Sequence, residues 1–224
     1  MFSRTERVIG KDKLQKIKSS KIAILGLGGV GGYVAEMFAR LGVENLTIVD
    51  CDKIEVSNLN RQIIALNSTL NCYKTTAFKN RILDINPNCR IVEKNIKISS
   101  QNTAEILSEK YDFVVDAIDD IPAKIAVVKF CQQNDIKLIS SMGTGNRYKL
   151  PQFEVCDISK TSYDKLAKKL RKLIKDEGVE HLTVVYTKEP CEKTEGLGSI
   201  VYYPLMCAGT IVSYITNEII NYDI

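Results

Sequence analysis

The residues Gly26-Leu27-Gly28-Gly29-Val30-Gly31 follow a short apolar run and open a helical pattern. Glycines in that context permit a tight turn and close backbone approach, and the helix N-terminus offers free N–H groups to a phosphate. Asp50 comes 19 residues after Gly31, where a carboxylate can accept hydrogen bonds from ribose hydroxyls. Together these residues read as a nucleotide site, the kind of nucleotide left open, rather than as a glycine turn that only lets helix and sheet pack. Asp52, Asn58, Arg61 and Gln62 follow in a segment that a dinucleotide does not need. Arg61 offers a planar five-donor fork and Lys74 a compact ammonium, a pair suited to the tail of ATP. Taken alone, Lys74 reads equally well as a solvated lysine on a helix face. Asp116-Ala117-Ile118-Asp119-Asp120 then groups carboxylates that would suit Mg2+ bound with phosphate oxygens. Asp119 is the expected ligand, with Asp116 and Asp120 expected to cap and solvate the next helix and Lys124 to pair with one of them.

Positioning these groups requires strands that end where they begin. Short β-rich runs at 21–25, 46–50, 90–94, 112–117 and 136–141 alternate with helical patterns at about 30–41, 73–85, 100–109 and 122–134. Such alternation predicts a doubly wound α/β sheet, Rossmann-like and mainly parallel, whose ligands lie beyond the carboxyl ends of the strands. Gly26, Asp50 and Asp116 to Asp120 all fall there. Past Gly143 come strands near 152–156 and 182–187, a basic helix between them, and a last helix from Pro204 to about 221 with an apolar stripe. The expected organisation is one domain over 1–224, with a nucleotide-binding core at about 20–143 and a C-terminal strand and helix extension at about 144–224.

Composition narrows the chemistry. The 224 residues carry 31 Lys+Arg against 27 Asp+Glu, and 45% are hydrophobic, the balance of a globular protein. No stretch is apolar enough for a membrane span, and charges occupy the positions where a signal peptide would be apolar. The 7 cysteines form no CxxC pair, so neither a disulfide framework nor a zinc knuckle is supported, and a cytoplasmic location is expected. His181 is the single histidine, which excludes mechanisms that need several imidazoles.

On these residues the chain resembles the ThiF/MoeB superfamily, the bacterial relatives of ubiquitin-activating enzymes. The resemblance rests on GLGGVGG, IVDCDKIEVSNLNRQI, Lys74 and DAIDD, and covers nearly the whole chain. The opening Arg-Thr-Glu-Arg-Val-Ile-Gly, the stretch Asp84-Ile85-Asn86-Pro87 and the late Gly196-Leu197-Gly198-Ser199 look most like the TcdA (CsdL) branch, the tRNA threonylcarbamoyladenosine dehydratases. The resemblance implies an ATP-binding, Mg2+-dependent adenylating ligase or cyclase. Such an enzyme converts a carboxylate on modified tRNA to an acyl-adenylate that an internal nitrogen attacks with loss of AMP. It implies ribose binding at Asp50, phosphate contacts at Asn58, Arg61 and Lys74, metal binding and adenylation at Asp119, and adenine packing near Ile118. Gly26, Gly28, Gly29, Gly31, Asp52 and Gln62 complete the nucleotide site. A homodimer is implied too, with Arg7, or Arg4 in its place, reaching the partner's ATP, and a sulfur-transfer protein is a further implied partner.

Two departures qualify the resemblance. Activators of sulfur carriers usually hold zinc with CxxC pairs, absent here, which argues against a carrier substrate. Thr183-Val184-Val185-Tyr186 stands where some relatives have a cysteine, and Cys191 and Cys207 read as ordinary or buried thiols. The rival functions are adenylation of the C-terminus of a ubiquitin-like sulfur carrier and an NAD-binding oxidoreductase or sensor. Arg61, Lys74 and Asp119 would be surplus to the latter. Between Lys160 and Lys175 lie 7 basic residues and 1 acid. Lys165, Lys168, Lys172 and Lys175 share one face, opposite Leu166, Leu170, Leu173 and Ile174, either as a solvated surface or as a docking surface for an anticodon stem.

Overall fold

The structure, a computed structural model, describes residues 1–221; the last three positions of the expected domain lie outside them. One seven-stranded sheet crosses these residues in the order β3-β2-β1-β4-β5-β7-β6. Its strands are β1 (Lys21–Leu25), β2 (Asn45–Val49), β3 (Arg90–Lys94), β4 (Phe113–Asp116), β5 (Leu138–Ser141), β6 (Phe153–Asp157) and β7 (Thr183–Thr187). All neighbours run parallel except β6, which pairs antiparallel with β7, Phe153 opposite Thr187. The strand order reverses between β1 and β4, so the crevice for a ligand opens between their carboxyl ends.

The helices are α1 (Ser3–Ile9), α2 (Lys11–Ser19), α3 (Gly31–Leu41), α4 (Lys74–Ile85), α5 (Thr103–Ile106), α6 (Ile121–Gln133), α7 (Lys165–Asp176) and α8 (Tyr202–Asn221). Side chains along a strand alternate between faces, and β1 divides accordingly. Ile22 and Ile24 join a core with Phe38 of α3, Phe78 of α4 and Ile211 of α8, while Ala23 and Leu25 join one with Val127 of α6. A third cluster sets Val184 and Tyr186 of β7 against Leu170 and Ile174 of α7. Burial on both faces explains why β1 reads as a nearly continuous apolar run.

Two expectations need correction, and two features were not foreseen. The C-terminal extension expected after Gly143 belongs to the sheet itself, because β7 and β6 prolong it past β5. The helix expected at 100–109 shrinks to Thr103–Ile106. There the Asn102 side chain accepts the Ser99 N–H at 2.8 Å and Thr103 Oγ1 donates to the Ser99 carbonyl at 2.6 Å, local bonds that compete with a longer helix. Helices α1 and α2 were not foreseen, since only Leu14 and Ile17 of their residues are buried.

Asp116, expected near solvent as a helix cap, is fully buried. Its carboxylate accepts bonds from Lys124 Nζ at 2.9 Å, Ser140 Oγ at 2.6 Å and the Ile118 N–H at 3.1 Å. Lys124, also fully buried, donates further to Ser140 Oγ and to the Ser141 carbonyl, both at 3.0 Å. The helix cap is Asp120 alone, which accepts the Ala123 N–H at 2.9 Å. A buried ion pair is kept affordable by filling every donor and acceptor around it, and this one clamps β4, β5 and α6 together. Replacing Lys124→Met leaves Asp116 buried without its countercharge, and urea unfolding at neutral pH is expected to show a loss of about 3–5 kcal/mol. A loss under about 1 kcal/mol would show that the clamp contributes little.

Candidate functional site

The glycine loop leaves the end of β1 and is pinned to both neighbouring strands. The Gly26 N–H donates to the Val49 carbonyl, and the Ala117 N–H to the Leu25 carbonyl, each at 2.8 Å. Gly26 has φ +87°, and a Cβ there would lie 2.7 Å from the Ala117 oxygen; at Gly31 a Cβ would fall 1.8 Å from the Gly26 oxygen. Those glycines are demanded by backbone packing. Gly28 is different, because a Cβ there would meet only Gln62 Nε2, at 3.9 Å. Among the described residues, the amides of Gly28, Gly29 and Val30 donate to no protein acceptor. Open space above free amides at the start of α3 is the arrangement that receives an anion.

Asp50 stands immediately after β2 and binds the loop directly. Its Oδ2 accepts the Leu27 N–H at 2.7 Å and its Oδ1 accepts the Asp52 N–H at 2.8 Å. Lys74, at the start of α4, is buried and therefore not a solvated surface lysine. Its Nζ lies 2.8 Å from Asp52 Oδ2 and 3.8 Å from Asp50 Oδ2. These distances explain opposite shifts. The hydrogen bond from Lys74 holds the Asp52 carboxyl below its usual range, whereas burial, outweighing the more distant Lys74, raises that of Asp50.

The segment after β2 folds back over the loop. Asn58 Oδ1 accepts the Glu55 N–H at 3.2 Å. Arg61 Nη1 donates to the Ser57 carbonyl at 2.8 Å and Asn60 Oδ1 at 2.9 Å. The Cγ of Arg61 passes 3.7 Å from where a Cβ on Gly29 would lie, so the stem of this side chain borders the loop. Gln62 is buried, and its Oε1 has no hydrogen-bond partner. An orphaned acceptor beside Gly28 costs stability unless a ligand or water satisfies it.

Asp119 is exposed just beyond β4, and Ile118 is half-buried beside it. Asp119 is not part of the Asp50, Cys51 and Asp52 group, whose ligating atoms lie within 4.8 Å of one another. In that group Lys74 already holds Asp52, and partial burial with two neighbouring carboxylates pushes the Cys51 thiol up, away from the thiolate a metal would need. Burial raises the Cys89, Cys131 and Cys207 thiols to about 12. His181 precedes β7 at the opposite edge of the sheet, 3.3 Å from Asp157. Arg4 and Arg7 are exposed on α1. That helix is anchored by Phe2 against Gly42, past the far end of α3, so the structure does not bring either arginine to its own chain's loop.

Residues that sequence reasoning missed form the flank of the site beyond β5. Arg147, buried, donates to the Gly143 and Glu189 carbonyls, each at 2.7 Å, and pairs with Asp164 at 3.3 Å. The 196–198 turn docks on Asn146, and Asn60 Nδ2 donates to the Ser199 carbonyl at 3.0 Å, next to Arg61. The Gly-Thr-Gly run at 143–145 and the Gly196-Leu197-Gly198-Ser199 stretch were the sequence signals for this flank.

Residues 2–222 match the model of the ThiF family. The tRNA threonylcarbamoyladenosine dehydratase of Bacillus subtilis (strain 168) is 40% identical over 189 residues, covering 84% of this chain and 74% of that one. The protein of that name from Escherichia coli (strain K12) is 37% identical over 176 residues, covering 79% and 66%. The crystal structure of E. coli tRNA N6-threonylcarbamoyladenosine dehydratase, TcdA, in complex with ATP superposes with a TM-score of 0.95 at 32% identity, covering 98% of this chain and 93% of that one.

The opposite shifts at Asp50 and Asp52 set a pH test. A carboxyl whose folded pKa is raised contributes stability that is present below its unfolded pKa and lost as pH rises through its folded pKa. Relative to Asp50→Asn, the unsubstituted protein is therefore expected to gain stability between neutral pH and pH of about 4, read by urea unfolding at both. A relative gain toward neutral pH instead would mean that Lys74 outweighs burial at Asp50.

Proposed function

The chain belongs to the ThiF family, and from that premise we propose that it is an ATP-dependent adenylating enzyme acting on threonylcarbamoyladenosine in tRNA. Residues 1–224 act in this reading as one adenylating unit, and its soluble, cytoplasmic operation accords with the described residues, which hold no helix long and apolar enough to cross a membrane. The observation that carries the reading is the open cradle at the start of α3: Gly28 is unobstructed, the amides of Gly28, Gly29 and Val30 are free, and the stem of Arg61 passes beside Gly29. A triphosphate tail carries more negative charge than the pyrophosphate of a nicotinamide dinucleotide and makes fuller use of the two cations Arg61 and Lys74.

In this reading Asp50 receives the ribose hydroxyls, Ile118 packs on the adenine, and Gly26, Gly28, Gly29 and Gly31 shape the phosphate cradle. Asn58, Arg61, Gln62 and Lys74 hold the phosphates, Lys74 being kept in place by Asp52. Asp119 would hold magnesium, a hard cation that suits its exposed oxygens and that supplies neutralisation of phosphate charge. A substrate carboxylate oxygen then bonds to the α-phosphorus as the bond to pyrophosphate breaks. Attack on the activated carbonyl by a nitrogen of the same nucleoside expels AMP and closes the ring, with net loss of one water. With His181 at the other edge of the sheet, catalysis here rests on positioning and on charge stabilisation by Arg61, Lys74 and backbone amides.

A homodimer completes the site. Arg7 is exposed on α1, a helix held by Phe2 at the far end of α3, and the apolar groove of about 450 Å³ along α8, lined by Val155, Leu205, Met206 and Tyr214 among others, gives a second copy a surface to cover. If so, Arg7→Ala and Asp119→Ala are each expected to be nearly inactive, and mixing them to restore activity, since a mixed dimer contains one intact site. Failure of the mixture to recover above either variant would place Arg7 outside the partner's site.

The reaction is tested by mass spectrometry of nucleosides from tRNA incubated with protein, ATP and magnesium. Threonylcarbamoyladenosine lighter by one water is the expected product, dependent on ATP; unchanged nucleoside, with turnover on a sulfur-carrier C-terminus instead, would overturn the substrate. Arg61→Ala is expected to weaken Mg-ATP binding by about 1.5–3 kcal/mol, measured by equilibrium titration, and unchanged affinity would remove Arg61 from the phosphate site.

A further inference from the structure

Helix α7 is unusual in what it does with its charge. Ala167, Leu170 and Ile174 are buried against Val128 of α6 and the β7 face of the sheet. Lys165, Lys168, Lys169, Lys172 and Lys175 are exposed, and none of them forms an ion pair with a described residue. Lysines four apart on one face repel each other. Lys165 also stands in the first turn, where the helix dipole favours acids and where α7 has none. Its one neighbouring acid, Asp164, is already engaged, capping the helix through the Ala167 N–H at 2.9 Å and pairing with buried Arg147. Lys175, in the last turn, suits the helix dipole, but the crowding of Lys165, Lys168, Lys169 and Lys172 is like-charge repulsion that an anionic partner relieves.

Tyr163 identifies the partner's chemistry. It precedes the cap with φ +57°, a backbone conformation rarely adopted by a bulky residue, and its side chain is 74% exposed. An aromatic face held out beside a line of lysines offers stacking to an unpaired base while the lysines meet the backbone phosphates. An anionic membrane fits less well, because the apolar face that would insert into it is already used in the core. Location agrees: Asp164 lies against Gly143, where a Cβ would be 3.3 Å from its Oδ2. Gly143 follows β5, the neighbour of β4, whose end carries Asp119.

We propose that Tyr163 and the lysine face of α7 form the tRNA-docking surface, with Tyr163 stacking on an unpaired base beside the nucleotide to be modified. This rests on the proposed tRNA substrate and adds to it the surface and the mode of contact. Labelled tRNA is titrated with the full-length protein over a range of KCl concentrations, using the unsubstituted protein, Lys168→Ala/Lys172→Ala, Tyr163→Ala and Tyr163→Phe. The double lysine variant is expected to bind more weakly, with the slope of log affinity against log salt reduced by about 1.4–1.8. Tyr163→Ala is expected to lose about 5- to 150-fold in affinity at an unchanged slope, and Tyr163→Phe to behave as the unsubstituted protein. Unaltered Mg-ATP binding in all variants reports intact folding.

Unchanged affinity and slope in the double lysine variant would overturn the surface, and so would lysine-dependent binding to phosphatidylserine vesicles with tRNA binding intact. If the unsubstituted protein dehydrates the tRNA nucleoside while the lysine variant binds tRNA equally well, the surface alone falls. If the nucleoside is left unchanged, the proposed reaction falls, and a reduced salt slope in the lysine variant would still support the surface.

Discussion

The Asp50 carboxylate is the joint between fold and site. It accepts one N–H from the glycine loop and one from the segment that carries Asp52, so the loop after β1 and the loop after β2 cannot move independently. Burial works against its ionised form, and the Lys74 ammonium at 3.8 Å offsets that only in part. A group held at such cost is expected where a ligand will complete its environment. The orphaned Gln62 acceptor and the free amides over Gly28 share that character.

Beside this polarised cradle lies a fully satisfied one. Asp116, Lys124 and Ser140 saturate one another beneath the ends of β4 and β5, where the turn that presents Asp119 begins. One edge of the sheet thus contains two kinds of polar cluster: a closed network that fixes backbone and an open one with capacity left for a ligand. The Arg147 hub extends the rigid part to β7 and α7. An acceptor approaching from the α7 side would meet a fixed wall.

Much of this was legible because it was local. Gly26 to Gly31, Asp50 and the helix after them are defined by spacing within one βαβ unit, and the strand ends placed Asp119 at the same edge. The amphipathic pattern of α7 likewise separated its buried Leu170 and Ile174 from its lysines. The misreadings required contacts across the sequence. Lys124 was expected to pair with one of the carboxylates and does, but Asp116 looked like a cap because Ser140, which completes its buried network, is 24 residues away on another strand. Sheet membership of β6 and β7 depends on pairing that no local period reveals. The side of the molecule on which α1 carries Arg7 is set by Phe2 packing on Gly42, a contact without any sequence signature, and the left-handed backbone of Tyr163 left none either.

Whether this edge of the sheet grips a nucleoside triphosphate decides the rest. Isothermal titration of the purified protein with Mg-ATP and, separately, with NAD addresses it most directly. Saturable heat is expected with Mg-ATP, abolished when Gly28 is replaced by a bulkier residue that leaves the thermal unfolding midpoint nearly unchanged, and none is expected with NAD. Saturable binding of NAD that Mg-ATP fails to displace would contradict it.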